Sequence, residues 1–92
     1  MSERLNVTTA QHISPAWAPA GDTILQLETV SRDARVQVQA RTSTAAPWVT
    51  VGTIAVFPSY LDCFIRLPRF PLMRLVLSGN APGSLVQVWD NE

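Results

Sequence analysis

Read as a run of apolar and polar positions, the chain breaks into short two-faced segments separated by turn residues. Residues 35–41 alternate most cleanly, with Val36, Val38 and Ala40 on one face and Arg35, Gln37, Gln39 and Arg41 on the other. A period of two marks a strand with one face in a core and the other toward water or a polar partner. Residues 23–30 are rich in β-formers and set Leu25 and Leu27 opposite Ile24 and Val30. A strand from Trp48 to about Val56 is interrupted by Gly52, where a bulge or a close approach is expected. Residues 61–67 place Leu61, Cys63, Ile65 and Leu67 on a core face and Asp62, Phe64 and Arg66 opposite.

Residues 72–89 are the most legible stretch. Met73, Leu75 and Leu77 share one face, Leu72, Arg74, Val76 and Ser78 the other; in the return segment Val86 and Val88 oppose Leu85, Gln87 and Trp89. Between them, Gly79-Asn80-Ala81-Pro82-Gly83 gathers residues that accept or fix turn dihedrals. The pattern predicts an antiparallel hairpin.

Strand starts near 24, 35, 48, 61, 72 and 85, with no segment of helical period, predict an all-β chain: a single antiparallel β-sandwich, jelly-roll or immunoglobulin-like. A weakly alternating segment at residues 5–11 brings the count to about seven strands. Residues 12–22 hold Pro15, Pro19 and Gly21 and read as a long connection, with Trp17 pinning it to the sandwich. The expected organisation is therefore an N-terminal strand or arm with its connection (1–22), then the sandwich domain (23–92).

Composition changes this picture in one respect. The 92 residues suffice for one modest core, yet 47% are hydrophobic and only 15% charged, against about 25% charged in a usual soluble chain. Seven basic and seven acidic residues cancel. A neutral, weakly charged surface favours self-association, so part of it is expected to be covered in an assembly. All the basic residues are Arg, which a GC-rich coding sequence accounts for most simply. Without a basic run there is no electrostatic footprint for nucleic acid. No apolar stretch is long enough for a membrane span, and the N-terminus has no secretory h-region, so a chain made in the cytosol, or exported with something larger, is expected.

Candidate chemistry is sparse. The single His12 lies in the irregular N-terminal connection beside Ser14, without a spaced nucleophile–base set. Cys63 is the one cysteine, which excludes an internal disulfide or a cysteine zinc site and leaves it the part of a small buried hydrophobe. Carboxylates such as Asp22, Glu28, Asp33, Asp62, Asp90 and Glu92 are dispersed, with no calcium-loop spacing, and no phosphate-binding glycine loop occurs. No catalytic residue, metal ligand or cofactor is assigned. The aromatics are better candidates. Phe70, held between Pro68 and Pro71 next to Arg69, is expected to project from a stiff loop as an interface contact, with Arg66 and Arg74 as further contacts. Trp48, Trp89 and Tyr60 are alternative sugar-stacking positions.

Residues 48–54 (WVTVGTI) and 64–79 (FIRLPRFPLMRLVLSG) resemble small β-sandwich proteins of tailed-phage particles and related prophage elements. The likeness is one of texture and covers about the last two thirds of the chain. It implies a capsid-decoration, head-fibre-base or tail-accessory role in a virion assembled in the host cytoplasm. The implied partners are further copies of the chain, a trimer being suitable, and a major capsid or other virion protein. The chain is also similar to carbohydrate-binding jelly rolls of the discoidin type, though shorter and without their paired cysteines. The leading expectation is a non-enzymatic structural protein that docks on a larger particle; the alternative is a glycan-binding module.

Overall fold

The computed structural model describes residues 2–92, apart from the side chain of Tyr60. Its strands are β1 (Ser2–Val7), β2 (His12–Ile13), β3 (Thr23–Thr29), β4 (Arg35–Arg41), β5 (Val49–Ile54), β6 (Phe64–Leu67), β7 (Leu72–Ser78) and β8 (Val86–Asp90). They build two antiparallel four-stranded sheets, ordered β1-β8-β3-β6 and β2-β7-β4-β5. The pairs β1·β8, β2·β7, β3·β6 and β4·β5 are what one long hairpin, bent between β4 and β5, produces when it is rolled across a core. That is a jelly roll. The expected all-β sandwich is present, and of the two topologies left open by strand spacing it is not the immunoglobulin-like one.

Between the sheets lie Leu25, Leu27, Val36, Val38, Met73, Leu75, Leu77, Val86 and Val88, each at most 2% exposed. Every one sits on the apolar side of its alternation, because only that register hides the whole set at once. Gly52 carries the expected bulge. Val38 pairs with Gly52 and Gln39 with Thr50, leaving Val51 as the extra residue. It is also a close approach, since a Cβ there would collide with Ile65 Cδ1.

Three expectations are corrected. Residues 72–89 do not form a hairpin: β7 belongs to one sheet and β8 to the other. Alternation shows which face of a strand is apolar. It does not distinguish two strands lying side by side from two facing each other across a core, and Met73, Leu75 and Leu77 face Val86 and Val88 in the second way. The seven-residue link, at about 3.3 Å per residue, easily spans the roughly 10 Å between sheets. Residues 12–22 are more than a connection. His12 and Ile13 pair with Leu77 and Val76, and Ser14 N donates to Leu75 O (2.9 Å); Trp17 pins the segment to the sandwich as expected, exchanging two 2.9 Å backbone hydrogen bonds with Met73. Pro15 is tolerated because this is an edge, where a missing donor faces outward. Finally, Tyr60–Cys63 is a 3-10 turn rather than the start of a strand, capped by Ser59 Oγ accepting from Leu61 N at 3.1 Å. The three-residue period rotates Leu61 off the core face and leaves it 87% exposed, while Cys63 and Leu67 stay buried.

The two chain ends close the sandwich. β1 pairs with β8 from Ser2↔Asp90 to Val7↔Val86, with a register shift between Glu3 and Leu5. Arg4 forms an ion pair with Asp90, whose side chain is fully buried, and reaches Glu92 at 3.3 Å. Its guanidinium also stacks on Trp17, 4.7 Å from the ring centre. Asp90 Oδ1 accepts from Ser2 N and Glu92 N, and Glu92 accepts from Ala20 N at 2.7 Å.

Candidate docking and binding surfaces

The connections β1–β2, β3–β4, β5–β6 and β7–β8 meet at one end of the sandwich. Asn80 ties two of them together, and its neighbour Ala81 adds the β3–β4 turn. Its backbone N donates to Ala10 O, and its buried Nδ2 donates to Thr9 O and Ser84 O, both at 2.9 Å. Gly83 N donates to Thr8 O (2.8 Å) and Ala81 N to Ser31 Oγ (3.3 Å). Gly79, at φ 72°, lies so close to the β3–β4 turn that a Cβ would stand 2.5 Å from Asp33 O. Beside this frame stand exposed apolar side chains: Val30 is 86% exposed, Leu85 44% and Phe57 39%. Val30 and Thr29 are shared by two grooves, one lined also by Val56, Phe57, Pro58 and Arg32, the other by Leu85, Gln87 and Glu28. Arg32 stacks on the Phe57 ring at 4.1 Å and leaves the rim cationic.

The outer face of the β2-β7-β4-β5 sheet carries a second cluster. Trp48, just before β5, is covered by Arg41 from β4 and Arg74 from β7, 4.3 and 4.5 Å from its ring centre. Arg74 Nε donates to Gln39 Oε1 (2.8 Å), Gln39 Nε2 to Thr50 Oγ1 (3.5 Å), and Arg41 to Thr44 O (3.3 Å). None of the four strands of this sheet contains a carboxylate. Among the described residues, the ion pairs are both made by Arg4, on the other sheet. Arg41 also walls a groove of about 360 Å³ together with Ala40, Pro47, Val49, Val51 and Phe70.

On the outer face of the opposite sheet, register aligns Glu3, Trp89, Gln26 and Phe64 in one row across β1, β8, β3 and β6. Phe64 is 53% exposed and Trp89 half-buried. Ile24 and Arg66 form the next row, while Gln87 donates to Glu3 at 2.8 Å and Asn6 donates to the same carboxylate at 3.0 Å.

The residues singled out from sequence lie on three separate surfaces. Arg66 is exposed on the β6 edge, Arg74 sits on the opposite sheet, and Arg69 and Phe70 occupy the β6–β7 loop at the end away from Val30. Arg69 Nε donates to Pro19 O at 3.1 Å; Phe70 packs partly against the core and walls the groove. Trp48 and Trp89 are half-buried on opposite sheets, and the side chain of Tyr60 lies outside the described residues. Ser14 Oγ, beside His12, accepts from Leu75 N and bonds Pro15 O, so it is tied to backbone rather than to the imidazole. Val30, Phe57, Leu85 and Arg41 were not singled out. For Val30 a signal existed: an apolar residue closing a strand directly before the polar turn Ser31-Arg32-Asp33. Compared with known proteins, the chain matches no family model, and neither a curated protein nor a solved structure matches it.

Proposed function

We propose that this chain is a non-enzymatic structural protein that works by oligomerising and docking, as a capsid-decoration or head/tail accessory component of a phage-like particle. The observation that carries the docking role is the exposed apolar end built around Val30, Leu85 and Phe57. A side chain as exposed as Val30 gains nothing within the monomer, whereas the Asn80 network holds it in a fixed place, and a preformed apolar surface loses little entropy when covered. The neutral net charge removes the repulsion that would keep copies apart. The particle setting, with assembly in the host cytoplasm and a major capsid or other virion protein as partner, rests on the likeness of residues 48–54 and 64–79 to such proteins. Jelly rolls serve as both capsid and lectin domains, so the fold is compatible with this role without selecting it.

Light scattering over a concentration series tests the docking role. A stable oligomer is expected, and Val30→Glu should shift it to monomer while changing fold stability by no more than about 0.5 kcal/mol, as for other exposed positions. A wild-type chain that stays monomeric at high concentration overturns the proposal.

Glycan binding remains a second reading because of the Trp89–Gln26–Phe64 row. An aromatic face beside an amide on a flat sheet is a surface on which a sugar ring can stack and hydrogen-bond. Trp48 suits that role less, since two guanidiniums already cover its ring. A glycan array read with wild type and Trp89→Ala tests it: loss of hits on substitution supports this reading, and an array without hits removes it.

A further inference from the structure

We infer that the Arg41–Trp48–Arg74 cluster and the groove beside it form a binding site for a small organic anion with an apolar body, such as a medium-chain carboxylate. Arg41 and Arg74 stack on one indole, so their charges lie less than about 9 Å apart, within a Debye length at ordinary ionic strength. Two like charges at that distance repel, and no carboxylate on the strands of their sheet offsets them. Guanidinium is the side chain best shaped to take a planar oxyanion through paired N–H donors. Arg41 has one hydrogen bond to Thr44 O and Arg74 one to Gln39, which leaves most of their donors free.

The apolar half of the ligand follows from the groove. Its volume of about 360 Å³ lies within the range of small-molecule sites. Ala40, Val49, Val51 and Phe70 present hydrocarbon to it, and Val49 is 58% exposed although it faces the inner side of the sheet. Arg41 belongs to both features: it walls the groove and stacks on Trp48. The cluster lies on the outer face of the sheet and the groove opens on its inner side, so it is an anion held by Arg41, the residue the two share, that can lay its tail in the groove. This site is separate from the Val30 end, and its fate is independent of the docking role.

Titrating the full chain with octanoate, followed by the indole N–H of Trp48 and the amides of Val49 and Val51 in nitrogen–proton spectra, tests the inference. Saturable shifts are expected at these positions. Acetate, which lacks the tail, and 1-octanol, which lacks the charge, should each bind at least about tenfold more weakly. Arg41→Gln and Arg74→Gln should each lower octanoate affinity about tenfold while spectral dispersion elsewhere is kept, as expected for loss of a charge-assisted contact. Should Arg41→Gln disturb the β4–β5 loop, Arg74→Gln carries the comparison alone. Octanol binding as tightly as octanoate, acetate doing so, or no saturable shift near Trp48 would each overturn the inference.

Discussion

Arg4 and Asp90 show how unequal the two halves of an ion pair can be. The Asp90 side chain is fully buried, whereas Arg4 keeps 23% of its side-chain surface in water and has Glu92 and Trp17 as further partners. Removing the cation strands a carboxylate away from solvent; removing the charge on Asp90 leaves a cation that solvent and Glu92 can still serve. Arg4→Met should therefore cost about 3 kcal/mol of stability, the usual consequence of orphaning a buried charge. Asp90→Asn retains an acceptor for Ser2 N and Glu92 N and should cost about 1 kcal/mol. Urea unfolding of the two variants checks the order, and an Asp90→Asn variant weaker than Arg4→Met would contradict it. In the sequence Arg4 carries no role and Asp90 and Glu92 count only among dispersed carboxylates, because a contact between residues so far apart along the chain leaves no local pattern.

The strands show which part of a fold periodicity can report. Alternation in 35–41, 72–78 and 86–88 identified the buried residues correctly, since a period of two and a single buried face are one physical fact. It could not report that consecutive strands cross between the sheets, nor that a two-residue β2 and the Trp17 bridge line the β7 edge, because Pro15 breaks the pattern that would have shown a strand. The bulge is legible because a glycine interrupts an otherwise apolar strand, and what that glycine makes room for lies across the core. Ala at position 52 would collide with Ile65 Cδ1, the free end of a half-buried side chain, while the next atom, Cγ1, is 3.7 Å away. Gly52→Ala alone should cost about 1–2 kcal/mol through overpacking. Ile65→Val deletes the colliding atom, so the double variant should recover most of that loss, with a coupling of at least about 0.5 kcal/mol. Additive effects in the cycle would mean that β5 and β6 do not meet through this pair.

For the molecule as a unit, a net charge of zero conceals a separation. The β2-β7-β4-β5 sheet bears Arg35, Arg41 and Arg74 and no acid, while the outer face of the other sheet shows Glu3 and Glu28 beside Arg66. The separation can be read in the sequence as the run 34–61, which holds two Arg and no carboxylate, but its meaning depends on topology that gathers β4, β5 and β7 into one sheet. The Val30 end was less legible still, since its residues come from three connections brought together only by the roll. The chain thus has two ways to meet another copy: the apolar end, or opposed charged faces. Salt separates them. Raising sodium chloride from about 0.05 to 0.5 M shortens the Debye length from about 13 to about 4 Å and weakens attraction between exposed charges, yet leaves burial of apolar surface undiminished. If the Val30 end holds the oligomer, its mass by light scattering should remain constant across this range, and sulfate should strengthen it. An oligomer that dissociates as salt rises would instead be held by the charged faces, and in that case Arg74→Glu, not Val30→Glu, would be the substitution that yields a monomer.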